Sequence, residues 1–111
     1  MEMNEGTQDA VTVLEVAGRV DSVTAPDLGD RLTSLLSTPQ RRLLIDFQRM
    51  EYISSAGFRV LFVASRHARD NGGRLAVCGL NTKANELFEI ADFHKLIKVV
   101  PTRDEGLAAL N

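Results

Sequence analysis

Leu43-Leu44-Ile45-Asp46-Phe47, followed a few residues later by Ser54-Ser55-Ala56-Gly57-Phe58, is the stretch that decides how this chain folds. The first run is short and almost wholly apolar, as expected of a strand buried on both faces. After a brief loop, Phe58, Leu61, Phe62 and Ser65 stand at i, i+3, i+4 and i+7, which turns one face of a helix toward a sheet. Asn71-Gly72-Gly73 ends that helix, because glycine supplies the left-handed residue a helix C-terminus often needs. Leu75-Ala76-Val77-Cys78 is the next buried strand. Asn81 or Thr82 then caps a helix running through Leu87 and Phe88, and Ile97-Lys98-Val99-Val100 is a last strand. Thr102-Arg103-Asp104-Glu105 reads as a capping box opening a terminal helix.

Toward the N-terminus, Val11 to Ala17 is β-branched and partly alternating, hence a strand, with Gly18-Arg19-Val20-Asp21 as its end or the following loop. Thr24-Ala25-Pro26-Asp27 starts a helix whose apolar face carries Leu28, Leu32, Leu35 and Leu36, and Thr38-Pro39 stops it. Strand and helix alternate from Leu43 onward, which implies parallel crossovers. The expected architecture is a mixed α/β domain over residues 1–111, with four or five strands and about four helices.

The composition is that of a globular protein, 44% hydrophobic and 25% charged, and its longest apolar runs are too short to cross a bilayer. The acidic start, Met1 to Glu5, has no apolar segment of a secretory signal, and Cys78 is the one cysteine. Both point to the cytoplasm. The net charge of −2 makes nucleic acid an unexpected partner. Residues 1–30 carry seven acids and one base, a balance of −6, whereas residues 31–111 carry eight acids and twelve bases, a balance of +4. This polarity either steers a protein partner or is simply an unevenly charged, solvated surface.

Sites in α/β sheets gather beyond the carboxyl ends of the strands, which here means Asp46 to Gly57. Ser54 and Ser55 stand at the start of the long helix. A serine there either caps free backbone N–H groups or carries a phosphate that those groups favour.

Gly18-Arg19-Val20-Asp21, Ile45-Asp46-Phe47, Tyr52-Ile53-Ser54-Ser55-Ala56-Gly57 and Ala76-Val77-Cys78-Gly79, in this order over about a hundred residues, resemble the STAS family, sulfate transporter and anti-sigma factor antagonist. The resemblance is to its free-standing anti-sigma factor antagonists. It implies a binding module that an anti-sigma factor serine kinase phosphorylates at the helix start and a metal-dependent serine phosphatase restores. The unmodified form binds the kinase and frees a sigma factor. The family motif reads Asp-Ser-Ser/Thr-Gly-Leu-Gly. Aligned through Gly57, its Asp falls on Ser54, its phosphorylated Ser on Ser55, its Leu on Phe58 and its last Gly on Arg59. Ser55 is therefore the first candidate acceptor and Ser54 the second. Asp21, Ser54, Ser55, Gly57 and Arg59 make up the expected partner surface. Two other outputs fit the same fold: an accessory subunit of a membrane lipid-transport complex, and a switch controlling secretion or signalling.

The remaining residues have plainer readings beside functional ones. Asp21 is a turn acid or a partner contact. Arg59 lies one turn beyond Ser55 and meets a partner carboxylate, meets the phosphate, or is simply solvated. Asp46 ends a buried strand as a receiver aspartate does, but Val16-Ala17-Gly18-Arg19 offers no acidic pair. His67, His94 and Cys78 lack metal-ligand spacing. Phe88, Phe93 and Leu96 read as core or satellite packing. Ile53 stands where a hydrolase elbow needs glycine, and no phosphate-binding Walker loop occurs. Neither catalysis, a cofactor, a metal nor membrane insertion is expected, and the free chain is expected to be a monomer.

Overall fold

The computed structural model describes all residues, 1–111. Its elements run β1 (Glu2–Gln8), β2 (Val11–Val20), α1 (Ala25–Leu36), β3 (Arg42–Asp46), β4 (Met50–Ile53), α2 (Ser55–Asp70), β5 (Arg74–Cys78), α3 (Thr82–Ile90), a 3-10 turn (Phe93–Lys95), β6 (Lys98–Val100) and α4 (Arg103–Leu110). The strands form one mixed sheet in the order β1-β2-β3-β5-β6, with β4 pairing β2 beyond the end of β3. Only β1 is antiparallel to its neighbour; the other pairs are parallel.

Strand alternation sorts the apolar residues into two cores. Leu43, Ile45 and Val77 face α1, α2 and α3 in a cluster of 21 buried residues. Leu44, Ala76 and Cys78 face α4 in a cluster of 7. Burial on both faces explains why β3 and β5 are apolar at nearly every position.

The expected mixed α/β architecture with four helices holds, and the main ladder has five strands. Two elements were missing from the sequence reading. β1 is exposed almost throughout, so it lacks an apolar face. Its turn to β2 uses Asp9 and Ala10, both with positive φ (53° and 65°), rather than the Asn-Gly or Asp-Gly pair that marks such hairpins. β4, with only Met50 and Ile53 buried, lies inside what reads as a loop. It is held by β2, which bends at Gly18 (φ 87°), where the pairing shifts register.

Two packing expectations are corrected. Phe62 is 40% exposed, because the buried stripe of α2 runs through Gly57, Leu61, Ala64, Ser65 and Ala68 and leaves Phe62 at its rim. Leu96, after the 3-10 turn, is 39% exposed, while Phe88 and Phe93 are buried. Their rings meet that of Phe58 with centroids 5.1 to 5.3 Å apart.

Candidate functional site

The candidate surface lies where β2 and β4 end side by side. Val20 and Ile53 are register partners, and the Ser54 N–H donates to the Val20 carbonyl at 2.8 Å. Asp21 and Ser54, the next residue on each strand, are thus brought together although they are far apart in sequence.

Ser54 occupies the N-cap of α2 in an extended conformation, but its hydroxyl accepts no hydrogen bond from the first turn. Its Oγ is buried and has no hydrogen-bond partner. The capping role that the residue type suggests is therefore not performed by its side chain, because the oxygen is packed against its neighbours. No acid stands in the first turn of α2 either, so the helix itself supplies no side-chain counter-charge to the positive end of its dipole. Ser55 opens the helix and is exposed. Gly57 is buried, and a Cβ there would stand 2.6 Å from Ile53 Cγ1 and 2.9 Å from Val20 Cγ1. Glycine is what lets the first turn of α2 sit on the ends of β2 and β4, so Gly57 sets the height at which Ser55 is presented. Arg59 is exposed, and its side chain makes neither a hydrogen bond nor an ion pair within the chain.

Asp21 organises its loop. Its Oδ1 accepts the N–H groups of Val23 and Thr24 at 3.0 and 3.1 Å and the Thr24 hydroxyl at 3.2 Å. The Asp21 N–H in turn donates to Thr24 Oγ1 at 2.9 Å. The Thr24 N–H bond, with smaller contributions from Val23, the Thr24 hydroxyl and Arg19, holds the carboxyl below its usual pKa against the opposing effect of burial. This turn presents Val23, 82% exposed, at its tip. Val23 escaped the sequence reading, although the Asp-x-x-Thr spacing was a signal for the turn. Arg19 and Tyr52, register partners on the opposite sheet face from Val20 and Ile53, stack with the guanidinium carbon 4.4 Å from the ring centre.

Asp46 has a structural environment. It is 5% exposed, and its Oδ2 accepts Arg103 Nε and Nη2 at 3.0 and 2.9 Å. Its Oδ1 accepts the Gln48 N–H at 2.9 Å, and Glu15 meets Arg103 at 2.8 Å. Both carboxylate oxygens are thus engaged, Oδ2 in holding α4 to the sheet and Oδ1 in bracing the loop between β3 and β4. Burial, together with the neighbouring Asp46, pushes the Cys78 thiol up to about 12, so it is protonated near neutral pH. His67, His94 and Cys78 join no group of three or more metal-ligating side chains.

A family profile described as "Mlab, STAS domain" matches residues 3–100. BtrV of Bordetella bronchiseptica, which carries the name anti-sigma factor antagonist, is 33% identical over 91% of this chain and 87% of its own length. The anti-sigma-B factor antagonist of Staphylococcus aureus is 26% identical over 84% of this chain and 86% of its own. Among solved structures, an anti-sigma factor antagonist from Mycobacterium paratuberculosis superposes with a TM-score of 0.87 at 24% identity, covering 98% of this chain and 92% of that one. The superposable fold and a family match over residues 3–100 agree: this chain belongs to the STAS domain family.

Proposed function

We propose that this protein is an anti-sigma factor antagonist that switches partners through phosphorylation of Ser55. The observation that carries the reading is an exposed hydroxyl on the first residue of α2, at a helix end whose first turn carries no acidic side chain. A phosphate at such a position meets partial positive charge and needs no unfolding. The names of BtrV and the Staphylococcus aureus relative support the same reading. The partner is an anti-sigma factor serine kinase, which supplies the nucleotide, and a metal-dependent phosphatase removes the phosphate. The protein is itself substrate and competitor rather than catalyst, and acts in the cytoplasm as a monomer when free, with residues 1–111 forming one module. No helix is long and apolar enough to cross a membrane. Ser55 takes the phosphate in preference to Ser54, whose Oγ is buried.

Asp21, Ser54, Ser55 and Arg59 form the docking surface, with Gly57 acting beneath it by position. An interface built around a neutral hydroxyl must desolvate about −1.5 to −2 added charges after phosphorylation, and binding falls.

The test is co-purification with identification of the kinase by mass spectrometry, followed by phosphopeptide mapping and calorimetry. Phosphate is expected on Ser55. Ser55→Ala folds, binds the kinase and resists modification, whereas Ser55→Asp folds and binds at least about tenfold more weakly. Arg59→Ala weakens binding a few-fold, as an exposed pair worth about 0.2–1 kcal/mol requires. Phosphate on Ser54, or an undiminished affinity of Ser55→Asp, overturns the switch.

A further inference from the structure

At the end of the strands opposite Ser55, the sheet gathers three cations that the family resemblance does not involve. Arg42 on β3 and Arg74 on β5 are register partners. Lys98 on β6 pairs with Ala76, two residues along β5 from Arg74. Period-two alternation therefore puts all three on one sheet face, the face that α4 covers. None has a carboxylate partner, since the ion pairs of the chain involve Arg31, Lys95 and Arg103. Between β5, β6 and the last turn of α4 lies an open cleft of about 460 Å³, lined by Arg74, Leu75, Lys98, Ala109 and Leu110. No acidic side chain lines it.

The arginines are fixed in place by α4. Arg74 Nη2 donates to the Ala109 carbonyl at 2.8 Å, and Arg42 Nη1 donates to the Leu110 carbonyl at 3.3 Å and to Asn111 Oδ1 at 3.1 Å. These bonds occupy carbonyls at the negative end of the helix, which would otherwise repel an anion. Arg74 keeps Nε and Nη1 without a partner in the chain. An anchored guanidinium loses little further rotamer freedom on binding a ligand. Lys98 adds a point charge at the same cleft, and Ala109 and Leu110 of α4 add an apolar side. A forked donor beside an ammonium suits the three oxygens of a phosphate better than a carboxylate, which one fork satisfies alone.

We propose that this cleft is a second binding site, which takes a phosphate monoester on a short apolar body. The phosphate meets Arg74 and Lys98, and the body lies against Ala109 and Leu110 at the last turn of α4. The site is independent of Ser55 and stands whether or not the proposed switch does.

The test is a titration of ¹⁵N-labelled protein with butyl phosphate, inorganic phosphate and butanol at low salt, followed by NMR. Butyl phosphate is expected to give saturable shifts at Arg74, Leu75, Lys98, Ala109 and Leu110. Inorganic phosphate binds there several-fold more weakly, because it buries no apolar surface, and butanol gives no saturable shift. Arg74→Gln abolishes binding and Arg74→Lys restores part of it, retaining the charge without the fork. The Lys98 side chain makes no hydrogen bond or ion pair, so Lys98→Gln tests the charge without disturbing α4. It weakens butyl phosphate at least about fivefold while the melting temperature holds. A dihexanoyl phosphatidic acid arm, below its micelle concentration, separates the sources: binding as tight as butyl phosphate assigns a lipid headgroup, and no binding assigns a soluble ester. Shifts centred on Ser55, Ala56 and Gly57 instead, an unchanged affinity in Lys98→Gln, or equal affinity for butyl and inorganic phosphate overturn the proposal.

Discussion

Asp21 couples the β2–α1 loop to pH through a single carboxylate. Its folded pKa is depressed, chiefly by the Thr24 N–H, below the ordinary value of 3.8. A depressed pKa means that this carboxylate contributes stability above the unfolded value, and the contribution disappears as pH falls through the folded value. Acid should therefore loosen the loop below about pH 4. A ¹³C titration of the Asp21 carboxyl should show the low pKa, and Asp21→Asn should flatten this part of the stability profile. Gly57 makes a different demand, for space. Gly57→Ala gains about 1 kcal/mol of helix propensity, but its Cβ would stand 2.6 Å from Ile53 Cγ1 and 2.9 Å from Val20 Cγ1, both on buried side chains. Overpacking of this kind costs about 1–3 kcal/mol, so urea denaturation should show a net loss. The same substitution should shift Ser55 relative to Asp21 and weaken partner binding, although residue 57 is buried.

Among the elements, the β1–β2 hairpin and α4 carry most of what is unusual. Asp9 and Ala10 both hold positive φ at the hairpin turn, where an L-residue with a side chain is strained by about 1–2 kcal/mol. Ala10→Gly should relieve that strain at Ala10. Part of the gain is lost to the larger freedom of glycine in the unfolded chain. The expected net stabilisation is about 0.5–1 kcal/mol, read as a rise in melting temperature. β1 is also an edge strand, and Glu2 and Glu5 on it discourage pairing with another sheet. At the other end of the chain, α4 is short. Thr102 caps it by accepting the Glu105 N–H at 3.2 Å, one half of the capping box read from the sequence. What docks it is the ion pair between Arg103 and buried Asp46, together with Leu107 and Leu110.

In the whole molecule the two cores are unequal, 21 buried residues under α1 to α3 against 7 under α4. Local opening follows buried apolar contact. Hydrogen exchange should therefore show α4 opening at lower free energy than β3 and β5, which both cores clamp. Equal protection of α4 and β3 would mean that the sheet and both helical layers open as one unit. This layout also separates two ends of the sheet. The carboxyl ends of β2 and β4 present Ser55 and Asp21, while the amino ends of β3, β5 and β6 present Arg42, Arg74 and Lys98. A ligand at the second end would bear on α4 and leave the first turn of α2 free for a protein partner.

Local pattern was enough for α1, α2, β3, β5 and the start of α4. Each has an apolar run or stripe, together with a cap or a breaker, that belongs to one kind of element, and the pattern follows from backbone geometry alone. The exposed serine at the head of α2 was legible for the same reason. β1 and β4 were not, because neither buries a full face: their hydrogen bonds come from β2, and no periodicity within the strand announces a partner distant in sequence. The meeting of Asp21 with Ser54, the turning of Ser54 Oγ away from its capping role and the cluster of Arg42, Arg74 and Lys98 depend on strand order and register. Those are set by which faces bury most area when all the elements pack together, a property of the whole chain that no short window contains.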